Sequence, residues 1–152
     1  MTTIPGTPPN RPIPPTPPIS EVSPERWRTR VAEVLTRARN RSRLLTDAVD
    51  DDELVAQHSP LMSPLVWDLA HIGNQEELWL VRDVGHRAPV RQDIDHLYDA
   101  FMHPRAERPA LPLLDPAGAR SYVREVRDKV LSVLEATATH HDIRPLFDPP
   151  PA

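Results

Sequence analysis

"HSPLMSPLVWDLAHIGNQEELWLVR", residues 58–82, decides how the rest of this chain is read. Ser63-Pro64 marks a helix start, a hydroxyl residue able to cap followed by a proline whose missing N–H is no loss in a first turn. Apolar residues then recur at helical spacing to about Val84. Leu65, Leu69, Ile72, Glu76 and Trp79 form one column, and Trp67, His71, Gln75 and Leu78 form its neighbour. Both columns are mostly apolar, which puts His71 on or beside the buried stripe as either a metal ligand or a histidine that packs. Gly73 costs roughly 1 kcal/mol against alanine inside a helix. Close approach of another backbone or of a ligand would account for it.

Two further long helices flank this one. The first starts at Ser23-Pro24 and runs to about Val49, with Trp27, Val31, Val34, Leu35, Ala38, Leu44 and Leu45 near helical spacing. Seven arginines lie between Arg26 and Arg43. Glu25, Glu33 and Asp47 interrupt them, so they read as a solvated face rather than a nucleic-acid surface. The third helix starts at Asp115-Pro116 and runs to about Thr137, with a stripe of Tyr122, Val126, Val130, Val133 and Leu134. Between the second and third lies a loop-rich span after Gly85, with one short helix at Asp93 to Phe101. No segment alternates as a strand would. The fold class is all-α, a helical bundle with three long helices and the fourth missing, because Pro145 and the prolines at 149–151 forbid a helix there.

Composition bounds the function. The 152 residues suffice for one domain. Eight of the 20 prolines fall within residues 1–18, so residues 1–22 read as a disordered, proline-rich tail. The bundle domain then covers 23–140, and 141–152 form an irregular tail. The absence of cysteine removes disulfides, thiolate metal sites and cysteine nucleophiles. A net charge of −4 gives no support to nucleic-acid binding. No apolar run approaches the roughly 20 residues that span a bilayer, and no signal peptide is evident. A soluble, cytoplasmic protein is expected.

A bundle metal site commonly draws two ligands at i and i+4 of one helix. His71 has Gln75 at i+4 and Trp67 at i−4, and Asp68 at i−3 suits holding the imidazole better than holding a metal. His58, His86, His96 and His103 lie in turns or the connecting span, and His140 and His141 adjoin the prolines of the tail. No HxxxH or HxxxE pair falls on any expected helix. Spacing leaves both readings of His71 open.

The run "TDAVDDDELVAQHSPLMSPLVWDLAHIGNQEELWLVRDVG", followed by "DIDHLYDAFMHPRAERPALPLL", closely resembles the N-terminal DinB-like domain of the ergothioneine-pathway sulfoxide synthases, also called hercynine oxygenases. The resemblance covers roughly residues 24 to 135. It implies a non-haem Fe(II) enzyme that uses oxygen to join hercynine to a thiol, γ-glutamylcysteine in the actinobacterial type. Three histidines hold iron in that family, and His71 matches the first. Arg105 and Arg108, in "HPRAERP", match arginines that hold a carboxylate of the thiol substrate. The family's HxxxH pair has no counterpart here, nor does its C-terminal domain, which is related to formylglycine-generating enzymes. One imidazole cannot fix an iron with open positions for oxygen and substrate. The chain is therefore expected to be inactive alone. Three readings follow in order: a truncated oxygenase, one subunit of a split enzyme whose partner chain supplies the HxxxH pair, or a non-catalytic helical binding module.

Overall fold

The computed structural model describes residues 23–137, so the tails expected at 1–22 and 141–152 lie outside the described residues. Helix α1 spans Pro24–Asp47, α2 Asp51–Val55, α3 Leu65–Glu76 and α4 Pro116–Ala136. The chain of α3 continues without a break through a wider, π-wound segment, Glu77–Val84. Among the described residues there is no strand. The all-α reading holds, with three long helices as expected and the short α2 added between the first two.

The capping residues explain the starts of α1 and α4. Ser23 Oγ accepts from Arg26 N at 3.4 Å, and Asp115 Oδ1 accepts from Gly118 N at 2.6 Å, each satisfying a backbone donor that the helix leaves unpaired. The start of α3 differs from the expectation. Ser63 does not cap it; Pro64 occupies the cap position and its carbonyl takes Trp67 N and Asp68 N. The connecting span carries only single 3₁₀ turns at Asp95–Leu97 and Arg108–Ala110 in place of the expected short helix.

The core lies where α3 packs on α4. Tyr122, Val126, Val130 and Val133 are all buried, as their spacing requires. On α3 the buried face is Val66, Trp67, Leu69, Ala70, Gly73 and Asn74, continuing to Glu77 and Val81. That face is rotated from the expected columns: Ile72 and Trp79 are about half exposed, while Asn74 and Glu77 point inward, toward partners elsewhere in the chain. Gly73 is explained by close approach, though of side chains rather than backbone. A Cβ there would lie 2.8 Å from Val123 Cγ1. Gly85 is tighter, 2.5 Å from Val133 Cγ2 and 2.7 Å from Val81 O. The left-handed residue that turns the chain out of the helix is the next one, His86, at φ 47°.

Helix α1 sits differently. None of its seven apolar residues at helical spacing is buried, and its one buried side chain is Arg39. Polar contacts hold it along its length. Arg28 Nη1 donates to Thr137 O at 2.7 Å near the end of α4, Arg39 Nη2 meets Glu76 Oε2 at 2.6 Å, and Asp47 pairs with Arg120 at 3.4 Å. Val34, Leu44 and Leu45 stay exposed.

Candidate functional site around His71

His71 is half-buried on α3, and its ring is held on two sides. Nδ1 lies 2.7 Å from the carbonyl oxygen of Tyr98. A carbonyl only accepts, so Nδ1 carries the hydrogen, and in the neutral ring Nε2 presents a bare lone pair. The imidazole also stacks on Trp67, with ring centroids 4.7 Å apart and planes 15° from parallel. Among the described residues Nε2 has no hydrogen-bond partner. A backbone carbonyl fixing one nitrogen while the other stays open is how proteins commonly orient a metal-binding histidine.

The Tyr98 carbonyl owes its position to a set of anchors. Trp67 Nε1 donates to Leu97 O at 2.9 Å. Asn74 Nδ2 donates to Asp95 Oδ1 at 2.8 Å, and Arg82 grips both oxygens of Asp95 at 2.6 and 3.0 Å. The Tyr98 hydroxyl accepts from Leu114 N at 2.9 Å. Glu77, fully buried, accepts from the Tyr122 hydroxyl at 2.6 Å and from the backbone N–H of Val90. Burial, reinforced by that carboxylate, pushes the Tyr122 hydroxyl well above the ordinary phenol range. Asn74, Glu77 and Arg82 were not singled out from the sequence. Their partners lie 13 to 45 positions away, beyond what helical spacing can reveal.

The two arginines of "HPRAERP" are placed unlike each other. Arg108 is buried, with its guanidinium carbon 3.6 Å from the centre of the Trp67 ring. Its Nη1 donates to Ser63 Oγ at 2.6 Å, and its Nε to His103 O at 2.9 Å. Trp67 thus touches both Arg108 and His71, and carries one toward the other. Arg105 is exposed. Its backbone carbonyl accepts from Gln57 Nε2 at 2.9 Å, which ties the loop to the segment after α2.

Iron(II) in an open facial site needs three protein ligands. Among the described residues no group of three His, Cys, Asp or Glu is arranged to hold a metal. His71 fits one position of such a site, and the described residues do not complete it. His140 and His141 lie outside them.

The DinB superfamily description matches residues 34–152. The chain belongs to the DinB superfamily. It is 54% identical over 110 residues to the hercynine oxygenase of Mycolicibacterium thermoresistibile, covering 71% of this chain and 24% of that protein. It is 53% identical over 110 residues to that of Mycolicibacterium smegmatis, covering 71% of this chain and 26% of the relative. To that of Mycobacterium tuberculosis it is 57% identical over 104 residues, 67% of this chain and 24% of the relative. The chain spans about a quarter of the length of these curated relatives. No helix among the described residues is long and apolar enough to cross a membrane.

Proposed function

We propose that this chain is the DinB-like part of a hercynine oxygenase. In this reading His71 supplies one imidazole to an iron(II) site, through which the complete enzyme joins hercynine to γ-glutamylcysteine in ergothioneine biosynthesis. Arg105 and Arg108 face the carboxylate of the thiol substrate, Arg105 directly and Arg108 with the N–H capacity its internal partners leave. On this reading the iron site needs ligands beyond those that residues 23–137 supply, so these residues by themselves should not turn over. One observation carries the reading: His71 is fixed through Nδ1 and stacked on Trp67 with Nε2 left open. A neutral imidazole held in this tautomer directs the Nε2 lone pair outward, the form in which histidine binds a metal. The family relationship to proteins named hercynine oxygenase supports it.

A second supply route has its own support. Val34, Leu44 and Leu45 on α1 and Ile72 and Trp79 on α3 leave apolar surface uncovered, the kind that a further helix from a partner chain would bury.

The test pairs this chain with the remainder of a relative, expressed separately, and uses cobalt(II) as a spectroscopic stand-in for iron. The chain alone should give no ligand-field bands. The reconstituted pair should give them, and His71→Leu should remove them while leaving the pair associated. If the pair assembles and His71→Leu keeps the full cobalt spectrum, the ligand assignment is wrong. If His71→Leu only makes the lone chain more stable and no pair forms, the packed-histidine binding module takes its place.

A further inference from the structure

On the other side of α3 from Tyr98, a groove of about 360 Å³ runs between α1 and α4. Leu69, which lines it, and His71 are two residues apart, about 200° around a helix of 3.6 residues per turn. The groove is therefore separate from the His71 site. Its apolar wall is Leu69, Val123 and Leu131, and its charged floor is Arg39 and Arg127.

The floor is an unbalanced charge cluster. Arg39 Nη2 lies 2.6 Å from Glu76 Oε2, and Arg127 meets the same carboxylate through Nε at 2.7 Å and Nη2 at 2.8 Å. Two guanidiniums thus share one carboxylate. Arg39 is 5% exposed and Arg127 8%, so the surplus positive charge is held out of water, which is costly without a counter-charge. Desolvation, with the neighbouring Arg127, holds the Arg39 guanidinium below its ordinary pKa against the pull of Glu76. Arg39 Nε and Nη1 and Arg127 Nη1 have no hydrogen-bond partner among the described residues. Buried polar groups are nearly always satisfied, so each such donor asks for an acceptor. Around the rim, Asp47 is taken up by Arg43 and Arg120 and Arg120 also reaches Asp51; Asp128 and Arg124 line the groove as well, one charge of each sign.

We propose that this groove binds a small organic oxyanion, a carboxylate or a phosphate, whose oxygens take the free N–H groups of Arg39 and Arg127 and whose apolar body lies on Leu69, Val123 and Leu131. A guanidinium fork offers parallel donors matched to such oxygens. The floor places two forks side by side. The site needs no iron and stands whether or not the His71 reading does.

The test uses the full chain with sodium phosphate and sodium hexanoate as probes, against sodium chloride at equal ionic strength. Arginine Nε–Hε signals and the thermal midpoint are followed. At least one probe should shift the Arg39 and Arg127 signals saturably and raise the midpoint above chloride. Arg39→Gln should weaken that binding about tenfold, the size carried by one charged hydrogen bond. Glu76→Gln should tighten it, because the competing carboxylate is gone. Saturation by phosphate alone assigns a phosphoryl ligand, and saturation by hexanoate assigns a carboxylate. Responses that follow ionic strength only would overturn the site. So would unchanged affinity in Arg39→Gln. Should that variant fail to fold, Glu76→Gln still decides, since unchanged or weaker binding there has the same consequence.

Discussion

Against α3, α4 presents Tyr122, Val123, Val126 and Val130, and two glycines of the facing chain let it come close. Against α1 it presents the guanidinium of Arg120, paired with Asp47, and the carbonyl of Thr137 just past its end. One interface is closed by area removed from water; the other is pinned at a few charged points over surface left wet. The consecutive pair Glu76 and Glu77 divides between them. Glu77 turns to Tyr122 and the loop at Val90, while Glu76 turns to Arg39 and Arg127. The candidate ligand is oriented on the closed side, by Trp67 and the Tyr98 carbonyl.

The largest effect should come from breaking that closed side at Trp67. Its side chain is 1% exposed, bonds Leu97 O, stacks on His71 and supports the Arg108 guanidinium. Trp67→Ala should cost about 3–5 kcal/mol in urea unfolding, the range for deleting a large buried aromatic. A loss under about 1 kcal/mol would show that the loop to Leu97 does not depend on this anchor. Next comes Gly85→Ala. The added methyl meets both a valine and the Val81 carbonyl, and backbone cannot give way as a side chain can, so a loss of about 1–3 kcal/mol is expected. Gly73→Ala meets only side chains and gains helix propensity, and should lose less.

Tyr122 sharpens the contrast through pH. Burial raises it, as it also raises Tyr98, and these are the chain's two tyrosines. A raised folded pKa means that the folded state holds the proton more tightly than the unfolded chain. Their stabilisation is therefore full below about pH 10 and declines as pH rises beyond it. Phenolate absorbance should thus stay silent above pH 10 and then rise together with unfolding. Titration near pH 10 in a chain that keeps its helical circular dichroism would contradict this burial. Tyr122→Phe leaves a Glu77 oxygen short of a donor and should cost about 1–3 kcal/mol.

How far the sequence could be read follows the same division. The stripe of α4 and the caps at Ser23 and Asp115 are local, so spacing and residue type suffice, and both are found as read. The buried face of α3 escapes that logic. Asn74 and Glu77 look like solvent residues until Asp95 and Tyr122 arrive from 21 and 45 positions away. His71 could be posed only as a question, because the carbonyl that orients it is 27 positions along the chain. Arg108 looked like a loop arginine open to a ligand. Its burial against Trp67 and Ser63 depends on how the connecting span folds back, which no period encodes. For α1 the error has the opposite sense. Its apolar spacing reads as a core face, yet burial needs a facing element, and among the described residues nothing covers Leu44 or Leu45.

Leu45→Gln is accordingly the mildest change and the sharpest probe of the open side. Leu45 is 69% exposed, so replacing it removes little that folding of this chain has gained. The unfolding free energy should stay within about 0.5 kcal/mol of the parent. A loss several times larger would mean that α1 is covered in solution, by a second copy or by another part of the chain. Sedimentation of the parent chain at rising concentration separates those two. A negligible loss that accompanies weaker assembly with the remainder of an oxygenase would place Leu45 at the joint. The apolar spacing of α1 would then describe a core that closes only on association.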